Sequence, residues 1–278
     1  MFNSLLCESR VNFHNSLLRV ISIYQKKENI IDTVVILEMI FLGIGVGTLS
    51  GFFGIGGGTI LVPMLLLMGY DIKVAIGISI VQMVFSSVYG SFLNFRKGSL
   101  QLDTLVSIGV GGFVGALLSG WVVSVLSSQT LEYIFLFFVC IALARLAYKP
   151  AQYKEARSSS PVLLFLVGAL IGVFAISIGV GGSILLVPIL VGFLHFELKK
   201  AISAGLFFVV FSSISGLISL SVAGQIAYLD GVLIGGASLV GVYVGVQLNH
   251  VTQSVLQKRL LLIFYILVLT YLLTRVFL

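Results

Sequence analysis

Apolar positions run along this chain in long charge-free stretches, broken by short clusters of charge. The stretches cover residues 39–70, 74–95, 104–131, 133–144, 158–196, 201–229, 231–257 and 260–274. A bilayer-spanning helix needs about 20 mostly apolar residues, so several stretches hold one span and the longest hold two, giving roughly eight to ten membrane segments. Residues 148–161, YKPAQYKEARSSSP, gather charge, serine and both mid-chain prolines and predict a polar linker. It divides the chain into a first transmembrane repeat at 32–147 and a second at 162–278. Residues 1–31, with Arg10, Arg19, Lys26 and Lys27, form an N-terminal tail, either an amphipathic surface helix or an extension upstream of a start at Met39.

The two halves repeat each other. GFFGIGGGTILVP at 51–63 answers AISIGVGGSILLVP at 175–188, with Pro63 and Pro188 125 residues apart. KVAIGISIVQMVFSSVYG at 73–90 overlays KKAISAGLFFVVFSSISG at 199–216 at a spacing of 126. Each half offers five apolar segments: 34–54, 58–69, 74–95, 104–126 and 130–147, then 162–178, 183–195, 200–222, 229–249 and 258–277. An odd number per half makes the copies face opposite ways. The expected fold is an all-α polytopic membrane protein of two inverted repeats, with broken or re-entrant half-helices at the glycine motifs.

Charge agrees with that arrangement. Ten of the sixteen Lys and Arg residues fall in loops that ten segments place on one side: Arg96, Lys97, Arg145, Lys149, Lys154, Arg157, Lys199, Lys200, Lys258 and Arg259. Basic residues gather on the cytoplasmic side. The tail and Arg275 do not fit. An eight-span alternative, in which each glycine motif only kinks one helix, puts Lys199, Lys200, Lys258 and Arg259 outside. Composition closes the class: 59% of residues are hydrophobic and 9% charged, where a soluble surface needs roughly a quarter charged.

The glycine motifs carry the chemistry. GIGGG and GVGGS can end one helix and turn the chain in little space, with Thr59 or Ser183 capping the next helix and Pro63 or Pro188 near its first turn. Gly54, Gly179, Pro63 and Pro188 are therefore the expected structural hinges. Short, Gly/Pro-interrupted segments at matching places in two halves point to a transporter's binding site, and each half-helix start offers free amides and a positive dipole end that suit an anion. Substrate contacts are expected from Gly56, Gly57, Gly58 and Thr59 with Gly181, Gly182 and Ser183. Ser86, Ser87, Ser212, Ser213 and Gln82 add hydroxyls and an amide, although serines in helices also bond back to their own carbonyls. Lys73 and Lys199 can draw anions electrostatically or serve as interfacial anchors. No Asp, Glu, Lys or Arg lies deep inside a span, which disfavours a cation carrier.

Cys7 and Cys140 form no spacing pattern, and His14, His195 and His250 no ligand cluster, so neither a metal nor another cofactor is expected. The sequence has no phosphate loop for primary transport and no convincing array of catalytic groups, so an enzyme is not expected. The expected partners are a small anionic substrate and the lipid bilayer, with no nucleic acid and with a homodimer left open.

GIGGGTILVP and the less complete GVGGSILLVP, set in a duplicated layout, resemble the TauE/SafE sulfite exporter family, also called the toluene sulfonate uptake permease family. The resemblance covers residues 34–277. It implies an inner-membrane carrier of sulfite, sulfoacetate or other organosulfonates, a carrier or channel for other small organic or inorganic anions being the alternative. The second half departs from the first in Ser183 against Gly58 and in Phe208 against Gln82.

Overall fold

The computed structural model describes residues 34–98, 102–147, 160–192 and 197–277. The N-terminal tail and nearly all of the linker lie outside them. The described residues form helices without strands: α1 Val34–Phe53, α2 Gly58–Leu67, α3 Ile72–Arg96, α4 Leu102–Ala116, α5 Ser119–Val125, α6 Ser128–Ala147, α7 Pro161–Ser177, α8 Ser183–Gly192, α9 Leu198–Val222, α10 Tyr228–Val251 and α11 Ser254–Phe277. Six apolar helical stretches are long enough to cross a membrane: α1, α3, 105–125 across α4 and α5, α9, α10 and 254–275 in α11. Among the exposed side chains are Trp121, Val222 and Leu229, while Thr59, Gln82, Ser87 and Ser183 are fully buried. This inverts the soluble pattern, as a chain solvated by lipid requires.

Helices without a hydrophobic drive between them associate by close backbone approach. Here glycine makes that approach. A Cβ on Gly43, Gly47 or Gly51 of α1 would strike backbone carbonyls of Ile234, Ser238 or Val242 on α10, and one on Gly241 or Gly245 would strike those of Ile44 or Thr48. The same interlock joins α4 to α7, where Gly111 and Gly115 meet the carbonyls of Phe165 and Ala169, and Gly168 and Gly172 meet those of Ile108 and Gly112. Both pairs run parallel, since the contacts advance together.

Helices α3 and α9 run antiparallel. Gly77, near the start of α3, lies against the Gln225 carbonyl just past α9. At the other end, Lys97 Nζ donates to Gln247 Oε1 at 2.7 Å and Lys199 Nζ to the His250 carbonyl at 2.9 Å, so the end of α3 and the start of α9 meet the end of α10. This basic face also carries Arg96, Lys200, Lys258 and Arg259. The opposite face is acidic. Asp71 caps α3 through the Lys73 amide and accepts from Ser128 Oγ at 3.1 Å. The Tyr70 hydroxyl there has its pKa raised by burial and, second, by the Asp230 carboxylate. Arg275 pairs with Glu132 at 3.1 Å and donates to the Leu66 carbonyl at the end of α2. That ion pair accounts for the basic residue that charge counting alone leaves on the wrong side.

The segment expected as one helix at 104–126 is broken at Leu117–Leu118 into α4 and α5. Ser219 of α9 causes the break. Its Oγ donates to the Leu117 carbonyl at 2.6 Å and accepts from the Gly120 amide at 2.9 Å, replacing the helical ladder with side-chain bonds.

Candidate binding site

Helix α1 descends from the acidic face until Asn249 Nδ2, at the basic end of α10, donates to the Phe52 carbonyl at 2.7 Å. The chain then turns through Gly54, Gly56 and Gly57, all at positive φ, and α2 climbs back toward Arg275. Gly179, Gly181 and Gly182 repeat the positive-φ turn between α7 and α8. Only glycine takes this conformation repeatedly without strain. The partners match as well: Gly54 packs on Ile202 of α9, and Gly179 on Ile76 of α3, the residue aligned with Ile202.

The two turns meet. A Cβ on Gly58 would overlap the Gly179 carbonyl, and Gly205 brings Ser183 beside the Gly54 carbonyl. Gly56 and Gly181 both rest on Val209, and Met83 lies against both Gly58 and Gly181. Met83 and Val209 are the twelfth residues of α3 and α9, each 25 residues long. At a 1.5 Å rise that is about 16 Å from the helix start, near the middle of each helix. Every residue from Ser50 to Pro63 and from Ala175 to Pro188 is buried.

Both short helices, α2 and α8, open with free donors. The amides of Ile60 and Leu61 return to the Gly57 carbonyl, and those of Leu185 and Leu186 to the Gly182 carbonyl. The earlier amides, of Gly58, Thr59, Ser183 and Ile184, point out of the helix start. The caps expected from sequence are different in the structure: Gly57 is the N-cap of α2, with no side-chain cap, and Thr59 and Ser183 stand inside their helices. Their hydroxyls have no hydrogen-bond partner. Pro63 and Pro188 lie one turn deeper than expected, as the sixth residue of each helix.

A proline there strips the carbonyl four residues back of its helical donor. For Pro188 that carbonyl is Ile184, and Tyr265 Oη donates to it at 3.3 Å. The residue at the same place in α6, Val139, has no hydroxyl to serve Thr59. Tyr265→Phe is expected to cost about 1–2 kcal/mol in detergent melts by orphaning a buried carbonyl. In a Pro188→Ala background, where residue 188 regains an amide, the same change is expected to cost nearly nothing.

Gln82 lies directly against the first turn. A Cβ on Gly57 would collide with its amide group, yet neither Oε1 nor Nε2 has a partner and the side chain is fully buried. At the aligned place Phe208 covers Gly182, its ring also filling the space beside Gly112. The paired serines divide. Ser86 Oγ donates to Gly56 and Met83 carbonyls at 3.4 and 3.3 Å, and Ser212 Oγ to Gly181 and Phe208 carbonyls at 3.1 and 3.2 Å, which ties each turn to its long helix. Ser213 bonds back to Val210, while Ser87 has no partner. Lys73 and Lys199 sit in the first turns of α3 and α9, at opposite faces and about 15 Å along the helix from the centre, so neither reaches the turns. Sequence reading missed Met83, Val209 and Ser79, whose Oγ donates to the Gly179 carbonyl at 3.0 Å. The helical position of Ser79, facing the glycine turn of the other half, is not visible along the chain.

Two buried helix starts that meet beside Met83 and Val209, lined by unpaired amide and hydroxyl groups, form a polar centre in an apolar protein. Residues 39–272 match the sequence profile of sulfite exporter TauE/SafE. The chain belongs to the TauE/SafE family. It is 25% identical over 232 residues to the probable membrane transporter protein YdhB of Bacillus subtilis, covering 81% of this chain and 93% of that one. It is 23% identical over 247 residues to the same organism's probable membrane transporter protein YunE, covering 78% and 89%. A probable membrane transporter protein of Methanocaldococcus jannaschii is 26% identical over 200 residues, covering 69% and 74%. No solved structure matches the chain. This TauE/SafE member is a multi-pass cell-membrane protein of a transporter family.

Proposed function

We propose that the protein is a secondary transporter that moves small sulfur-containing anions, such as sulfite, sulfoacetate or other organosulfonates, by alternating access between two inverted repeats. The observation that carries the reading is the meeting of the two glycine turns, where Gly58 lies against the Gly179 carbonyl and Gly56 and Gly181 share Val209. The anion contacts would come from Gly56, Gly57, Gly58 and Thr59 with Gly181, Gly182 and Ser183. The exposed amides and helix dipoles of α2 and α8 favour an oxyanion without any buried cation. Antiparallel α3 and α9, and the matching α1·α10 and α4·α7 pairs, support inversion of the repeats. Basic residues gathered on one face make that face the cytoplasmic one. Burial of both turns supports an occluded carrier over a continuous anion channel. The sulfur-anion class itself comes from the family's name.

The test is counterflow of sulfite and sulfoacetate in proteoliposomes holding the purified protein. Saturable exchange of either anion is expected. Flux that rises without saturation would replace the carrier with a channel, and transport confined to carboxylates or inorganic anions without sulfur would remove the substrate class.

A further inference from the structure

Buried polar atoms without partners occur in both halves but at different places; in the second they belong to Ser183, Gln225, His250 and Gln257. In the first they include Ser50, Thr59, Gln82, Ser87 and Ser91. The spacings of 125 and 126 residues align four of these with Ala175, Ile184, Phe208 and Leu217. Only Ser87 meets another serine, Ser213, and that hydroxyl bonds to Val210. Asn94, buried on α3, likewise aligns with the buried Leu220. Other serines of α9, Ser215 and Ser219, are spent on carbonyls of Phe113 and Leu117. One half thus keeps its hydroxyls free where the other has closed the same positions with hydrocarbon.

The unpaired hydroxyls of Ser87 and Ser91 are ordered along α3 together with Met83 and Asn94. Met83, Ser87, Ser91 and Asn94 recur every three or four residues, so they share one helix face. Met83 on that face touches Gly58 and Gly181 at the centre. From there Ser87 and Ser91 step about 6 Å and about 12 Å toward the end of α3. That end carries Lys97, which meets Gln247, and lies by Lys199 and His250 at the basic face. Ser50, a turn before Gly54 on α1, adds an unpaired hydroxyl on the same side of the centre. The mirror stretch of α9, from Phe208 past Leu217 to Leu220, leads from the centre to the acidic face, and its serines, Ser212, Ser213, Ser215 and Ser219, are all bonded to carbonyls.

We infer that the face of α3 formed by Ser87, Ser91 and Asn94, with Ser50 of α1, is the path by which a small oxyanion passes between the glycine site and the basic face. Among the described residues, the corresponding face of α9 carries no unpaired hydroxyl. The inference rests on the anion-carrier reading for its cargo, though not for its geometry. Hydroxyls with no protein partner can replace part of an oxyanion's hydration shell, and Lys97 and Lys199 concentrate anions where the path begins. Access to the site is therefore asymmetric: hydrated from the basic face, and gated on the other side by hydrocarbon that must move aside.

The experiment uses a Cys7→Ser, Cys140→Ser background in oriented vesicles. Ser87→Cys, Ser91→Cys and Asn94→Cys on α3, and Ser213→Cys, Leu217→Cys and Leu220→Cys on α9, are treated with a membrane-impermeant anionic thiol reagent from each side. The α3 set is expected to react from the basic-face side, fastest at residue 94. It should react at least tenfold faster than the α9 set does from the acidic-face side. Equal rates, reaction of the α3 set only from the acidic face, or no reaction in folded protein overturns the inference. Slowing of the Ser87→Cys reaction by sulfoacetate, which unlike sulfite does not consume the thiol reagent, supports both path and cargo; reaction without slowing keeps the path and removes the organosulfonate reading. A second comparison does not depend on cysteine: Ser91→Leu should cut anion flux at least tenfold and Leu217→Ser should leave it unchanged, whereas equal effects would overturn the asymmetry.

Discussion

Gly58→Ala is expected to destroy the fold of the membrane centre, with little protein surviving extraction and no flux from what remains. The added Cβ would occupy the position of the Gly179 carbonyl, and backbone at a tight turn cannot yield as a flexible side chain can. Met83 Sδ, 2.9 Å from the same Cβ, closes the other exit. Overpacking of this kind costs roughly 3 kcal/mol or more, a large part of any protein's stability. The aligned position carries Ser183, so the reverse change, Ser183→Gly, should be mild. Thermal melts of the two variants in one detergent check the contrast. Comparable melting temperatures would mean the turns are further apart than described.

Gln82→Met is expected to act in the opposite sense on stability. Its amide is buried with both polar atoms unpaired, and leaving such a group unsatisfied costs about 1–3 kcal/mol. A linear apolar side chain of similar length removes that cost, so the melting temperature should hold or rise. Transport should fall at least tenfold, or about 1.4 kcal/mol, near what one hydrogen bond to a charged ligand contributes. A gain in stability with a loss of function marks a group kept for a ligand rather than for the fold. If flux is unchanged, or stability falls, Gln82 is a packing residue.

Much of this was legible along the chain. The charge-free runs gave the helices, and the repeat located both glycine turns, because a triplet such as Gly56–Gly58 in an apolar run has few uses. Basic residues such as Lys97 and Lys199 marked one face. What could not be read depends on the third dimension. Capping by Thr59 was expected from its residue type, yet the positive φ of Gly57 puts the cap two residues earlier. The break before α5 comes from Ser219, about a hundred residues away in sequence. Arg275 looked misplaced until Glu132 was seen beside it. The glycines of α1 and α10 showed no purpose in sequence because each one's partner is a backbone carbonyl, which every residue has. The difference between Gln82 and Phe208 was visible as letters, whereas its meaning needed the unpaired amide against Gly57.

The central claim is that the meeting point of the two glycine turns binds the anion. Equilibrium binding of radiolabelled sulfite to the purified wild type and to a Thr59→Val, Gln82→Met double variant tests it most directly. Neither substitution removes a hydrogen bond present in the structure, so the double variant should melt no lower than the wild type. Saturable binding by the wild type, weakened at least tenfold in the folded double variant, is the predicted result. Binding of equal strength in both would place the anion elsewhere and contradict the account.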